Sequence, residues 1–260
     1  MLKILKYSII DLLRGRWSYL YFGFHLALGS ALLFLNHDLA KAVLTLMNVI
    51  LILSPMIGII FGVLYYYNSE EFTILLLAQP IRRSQILLGQ YLGLSLSLTL
   101  SLVLGLGLPF LLYGLLESSA IFDFLLLLVV GGYLHFIFVA LAFNIALSQD
   151  NKIKGLAYAI LTWLSMAVIY DAVFLISLMV FEEYPLDKFS LVATLLNPID
   201  LSRILILLKL DISALLGYTG AVFQKFFGSG TGFLVSLGVL TAWIVLPLWR
   251  ISARLKKKDF

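Results

Sequence analysis

Three ionisable side chains stand in stretches otherwise empty of charge, and they are where this chain could do chemistry. Asp171 interrupts the run Gly155–Phe181, His135 lies in Phe124–Gln149, and His25 lies in Trp17–His37. If the runs cross a membrane in alternating directions, the three sit ten, eleven and twelve residues from the same side. They then share a depth near the middle of the bilayer. An ionised Asp at the centre of a span costs ~2.5–3.5 kcal/mol on insertion scales, so it turns toward the interior of a bundle. One reading is a polar layer that lines a solute path, or an Asp171–His135 pair that couples two helices. The other is structural: a neutral Asp171, or one bonded to Ser or Tyr, that fixes packing, with the same alternative for each histidine. Metal chemistry finds no ligand set. The three histidines are dispersed, the five methionines do not cluster, and there is no cysteine. The missing cysteines also exclude disulfides and thiolate nucleophiles.

A second group of residues brackets a short apolar run. Glu70 and Glu71 precede Phe72–Leu77, and Pro80, Arg82 and Arg83 follow it. Asn68 or Ser69 can cap a helix here, the two acids suit its positive end, and Pro80 ends it. The spacing predicts a helix of about two turns within residues 69–84, with Leu76 on an apolar face that needs a partner. Glutamate-type membrane proteases also carry paired Glu. They need an Arg where Leu75 stands and paired histidines in later spans, and His135 has no companion. There is no Gly-x-x-x-x-Gly-Lys loop, so this chain is expected not to hydrolyse ATP itself.

A third group lies between residues 182 and 225. Asn197, Pro198 and Asp200 form a helix start, with a cap, a first-turn proline and an acid at the positive end. Arg203 follows one turn later. Gly217 and Gly220 punctuate a further apolar piece that contains Tyr218 and Phe223. These pieces are too short to span and too apolar for free loops. The expectation is that they fold back onto the membrane surface or hold a partner there.

The elements that must position these groups follow from composition. Of the 260 residues, 62% are apolar and 12% are charged, with a mean hydropathy of +1.06. So little polar surface excludes a soluble domain. Runs without Asp, Glu, Lys or Arg cover Trp17–His37, Ala42–Ser69, Ser84–Leu116, Phe124–Gln149 and Phe226–Trp249, and Gly155–Phe181 is broken only by Asp171. About 20 apolar residues cross the hydrocarbon core. Each run crosses once, and the fold class is an all-α polytopic membrane protein with six transmembrane helices. Of the 18 Lys and Arg, 13 fall on one side if the N-terminus is inside. The positive-inside rule then places both termini in the cytoplasm. Residues 1–16 alternate apolar and basic positions at helical spacing, which reads as an interfacial helix against anionic lipid. The first span is read as retained rather than cleaved. Pro55, Pro109 and Pro247 fall inside spans, and Gly58/Gly62 and Gly89/Gly93 are spaced for close helix approach. The whole chain, 1–260, is read as one membrane domain, and no part of it signals nucleic-acid binding.

This layout resembles the membrane subunits of type-2 ABC exporters, which have an amphipathic N-terminal helix, six spans and inward termini. Their first cytoplasmic loop shows the same succession of Glu70–Glu71, Leu75–Leu77, Pro80, Arg82–Arg83 and Gly89. Phe72 and Gln90 stand where Gly and Lys are common. The stretches Leu196–Arg203 and Gly217–Phe223 look like those of NosY-type permeases, which support maturation of nitrous oxide reductase, a copper enzyme. The resemblance implies a homodimer in a prokaryotic inner membrane. Residues Glu70, Glu71, Phe72, Leu76, Pro80, Arg82 and Arg83 would dock a cytoplasmic ABC ATPase that holds ATP and magnesium. It further implies a periplasmic β-helical partner contacting Asn197, Asp200, Arg203, Tyr218 and Phe223, and no cofactor in this chain. The alternatives are a secondary transporter, which would show inverted repeats and broken helices, and the membrane protease.

Overall fold

A computed structural model describes Ile4 and residues 7–10, 16–36, 38–78, 81–181, 183–184, 186–209 and 220–255. These residues form α1 (Arg16–Asn36), α2 (Leu39–Asn68), α3 (Glu70–Leu77), α4 (Arg83–Leu112) and α5 (Ile121–Ala146). They continue with α6 (Lys152–Leu164), α7 (Tyr170–Val180), α8 (Asp187–Leu196), α9 (Pro198–Lys209), α10 (Gly220–Phe227) and α11 (Gly230–Leu255). No strand occurs among the described residues. Among the described residues, six single helical segments are long and apolar enough to cross a membrane: Ser18–Asn36, Leu39–Asn68, Arg83–Leu112, Ile121–Ala146, Lys152–Val180 and Gly230–Arg254. The protein is an all-α multi-pass membrane protein, and its spans coincide with the charge-poor runs of the sequence.

Helices α2 and α4 have 30 residues each. At 1.5 Å per residue they measure ~45 Å, longer than the ~30 Å hydrocarbon core. Their ends therefore stand in the interfacial layers, where Tyr65, Tyr66 and Tyr67 finish α2. Side-chain caps start two spans. Asp38 accepts from Ala40 N at the head of α2, and Asn151 accepts from Ile153 N and Lys154 N at the head of α6. Beyond α4, Gly114 takes the left-handed conformation (φ 91°) that turns the chain into Leu115–Glu117.

Helix α5 is the centre of the bundle. Two thirds of its span (67%) is buried, against 6% for the fifth span. Its most extensive partner is α2. A Cβ on Gly62 of α2 would collide with the Cβ of Ala142, so glycine is what lets the two backbones meet. Helix α1 lies on α4 in the same manner, and a Cβ on Gly105 would stand 2.6 Å from that of His25. Gly93 behaves differently from its spacing-based expectation. It faces Ser8 of the N-terminal segment, not another span. Ile4 and residues 7–10 are helical, with Ile4 and Ser8 buried. The rest of the expected 1–16 helix lies outside the described residues.

The fifth span is continuous but irregular. Between α6 and α7, residues Ser165–Ile169 form one π-helical turn. Helices α8 and α9 meet at 114°. Helix α9 packs against α2, α5 and α11 and buries Ile199, Leu201, Leu205 and Ile206. The segment between the last two spans thus folds back into the bundle instead of lying only on its surface.

Candidate functional site

At the level of Asp171, four side chains from two elements converge. Arg203 of α9 donates from Nη1 to Asp171 Oδ2 at 2.8 Å and to Asp200 Oδ1 at 3.2 Å. Asn197 Nδ2 donates to Asp200 Oδ2 at 2.8 Å and to the Met166 carbonyl at 2.8 Å. Its Oδ1 accepts from Ile199 N at 3.0 Å, so Asn197 is also the cap of α9. Met166 belongs to the π turn, where the shift from the i→i+4 ladder leaves a carbonyl to be satisfied from outside. Tyr170, next to Asp171, donates its hydroxyl to the Ala193 carbonyl of α8 at 2.6 Å. The irregular turn and the re-entrant helices are thereby one hydrogen-bonded unit. With all three charges present, two carboxylates share one guanidinium and the cluster carries one net negative charge.

This arrangement changes one expectation. Asp171 does not pair with His135; its partner is Arg203, because α9 and not α5 presents a polar group to that face of the fifth span. Asn197 and Asp200 are buried and bonded to each other. Phe223 of α10 is likewise buried. Arg203 is committed to the two carboxylates. Tyr218 lies outside the described residues.

The histidines form a separate layer inside α1 and α5. His135 Nε2 is 2.8 Å from the Tyr21 hydroxyl, and His25 Nδ1 donates to the Tyr21 carbonyl at 2.9 Å. Both imidazoles are buried, and the Tyr21 and His25 rings meet edge to face at 4.3 Å. Sequence spacing proposes His25 and His135 and overlooks Tyr21, which joins them. Nothing in the sequence marks Tyr21 among 13 tyrosines. No group of three His, Cys, Asp or Glu that could hold a metal occurs among the described residues.

At the basic end of the bundle, marked by Arg82, Lys152 and Arg250, stands α3. One side of it is tied down. Gln90 of α4, fully buried, donates from Nε2 to Thr73 Oγ1 at 2.9 Å, and Phe72 stacks on Tyr7 at 4.8 Å. The other side is open. Ile74 and Leu75 are 57% and 68% exposed, and Glu70 and Glu71 are exposed and make no ion pair among the described residues. Leu76 is half-buried, Arg82 and Arg83 are exposed, and Pro80 lies outside the described residues. The caps differ from expectation. Ser69 precedes α3, but its hydroxyl turns back to the Tyr66 carbonyl, and Asn68 Oδ1 receives Lys152 Nζ at 2.8 Å. Tyr67 donates to the Gln149 carbonyl at 2.7 Å. The base of α3 is thus stapled to the loop between the fourth and fifth spans.

No protein-family model matches the chain, and no curated protein matches it.

Proposed function

We propose that this chain is the membrane half of an ATP-driven transporter of the type-2 ABC exporter kind, with α3 as the helix that receives a separate cytoplasmic ATPase. The observation that carries the reading is the two-sidedness of α3. Its inner side is held by Gln90, Thr73 and the Phe72–Tyr7 stack, while Ile74, Leu75 and the two glutamates face outward. A short helix with exposed apolar anchors, an acidic first turn and a rigid base has the form of a lever. Force applied to it passes into α4 through Gln90, and into the loop between the fourth and fifth spans through Tyr67 and Asn68. The bias of basic residues supports placing this end in the cytoplasm. The sparsely packed fifth span supports a second copy of the chain as its neighbour. The resemblance of Leu196–Arg203 to NosY-type permeases supports the narrower reading of a role in maturing a nitrous oxide reductase-like copper enzyme.

One observation favours the second reading, a secondary transporter: the α8–α9 pair, bent by 114°, is together apolar enough for a broken span or a re-entrant loop. In such transporters the positive end of the broken helix faces an anionic solute. Here that end is occupied by the chain's own Asp200. The test is energetic. Transport or complex function driven by ATP, and abolished by Leu75→Asp, supports the first reading. Function driven by an ion gradient in the absence of any nucleotide-binding subunit overturns it.

A further inference from the structure

Between α5, α6 and α11 runs an open groove of about 770 Å³, within the usual size range of ligand sites. Its far end is closed by Leu195 and Trp243, whose indole donates to the Leu195 carbonyl at 3.4 Å. Its middle is apolar, formed by residues such as Leu141, Ile145 and Leu246. Its other end, on the basic side, carries Arg250 and Arg254 beside Ser148 and Gln149, and no carboxylate lines it among the described residues. Arg250 is exposed and has no ion pair among the described residues. Arg254 donates to the Asn144 carbonyl at 3.3 Å and to Ser148 Oγ, which holds its guanidinium at the groove's mouth. Asn144 lines the same end. Its Nδ2 donates to the Pro247 carbonyl at 2.6 Å, which fixes the amide's orientation, and its buried Oδ1 has no partner among the described residues.

Length and charge together identify the occupant. From Trp243 to Arg254 is eleven residues of α11, or ~16 Å of helix. That is about half the ~30 Å hydrocarbon thickness, the depth of one leaflet. We infer that the groove is a binding site for one anionic phospholipid, its phosphate on Arg250 and Arg254 and its acyl chain against Leu141, Ile145 and Leu246. Guanidinium groups suit phosphate oxygens geometrically as well as electrostatically. A second copy's fifth span fits less well. The only acid in that span is Asp171, which Arg203 already holds. Free phosphate would leave the apolar length of the groove unused.

The test reconstitutes the full chain in nanodiscs of phosphatidylcholine doped with phosphatidylglycerol or phosphatidylcholine carrying brominated acyl chains, and reads tryptophan quenching. Brominated phosphatidylglycerol should quench at roughly thirtyfold lower mole fraction than brominated phosphatidylcholine, the size expected of two basic residues at an anionic surface. The selective component should vanish with Trp243→Phe and with Arg250→Gln plus Arg254→Gln. Arg250→Gln alone removes an exposed side chain and leaves folding intact, and should lose part of the preference. Inorganic phosphate should not compete. Equal quenching by the two lipids overturns the proposal, as does selectivity that survives the double variant or competition by inorganic phosphate. Shielding of Trp243 from both lipids would show that a second copy or another protein covers the groove, and overturns it too.

Discussion

Helix α3 turns Ile74 and Leu75 outward and leaves Glu70 and Glu71 without ion pairs among the described residues, whereas α8 and α9 bury Asn197 and Asp200 and pair Asp200 with Arg203. Both are short helices between spans, and both begin with a polar residue followed by an acid. The difference lies in what the bundle offers each of them. The π turn of the fifth span exposes a carbonyl and Asp171, and α9 folds back to satisfy both. The basic end offers α3 a single buried amide, Gln90. A segment that finds its partners inside the chain becomes part of the core, and a segment that does not is left to meet another molecule.

The largest effect should come from Arg203→Ala. It strands two carboxylates at membrane depth and should destabilise the solubilised protein by about 3 kcal/mol, near the low end for a broken buried pair because Asp171 and Arg203 are each partly exposed. Thermal unfolding in detergent measures it. Adding Asp171→Asn and Asp200→Asn to Arg203→Met should recover most of that loss. An unchanged midpoint in Arg203→Ala would mean that α9 is not anchored as described. Asn197→Ala removes a cap and leaves the Met166 carbonyl unpaired, for about 2 kcal/mol in the same assay. At α3 the scale should fall. Gln90→Leu should cost about 1 kcal/mol or less, since Gln90 Oε1 already lacks a partner among the described residues. Leu75→Asp and Glu70→Gln with Glu71→Gln should stay within about 0.5 kcal/mol, yet these are the variants expected to lose the ATPase. If they unfold the protein instead, the contrast between the two segments fails.

The spans were legible because membrane helices exclude charge over a fixed length, and Gly58 and Gly62 were legible because small residues one turn apart mark a close approach. The polar clusters were legible only as residues, not as partnerships. Asp171 and Arg203 stand 32 positions apart, and Tyr21 and His135 stand 114 apart. Equal depth suggested Asp171 with His135, but depth says nothing of which helix face a side chain occupies. The π turn carries no sequence signature, so the carbonyl that draws Asn197 inward could not be foreseen. Arg203 lies in an apolar stretch too short to register as a span, which is why α9 read as a surface piece.

The account turns on what covers Ile74 and Leu75. Because the chain has no cysteine, Leu75→Cys would introduce its sole thiol. Cross-linking from that position in native membranes should capture a nucleotide-binding subunit, identified by mass spectrometry, and an equivalent probe at exposed Val192 on α8 should not. If the thiol introduced on α3 reacts freely with an aqueous reagent and captures no nucleotide-binding subunit, α3 is not the docking helix and the proposed transporter assembly is wrong.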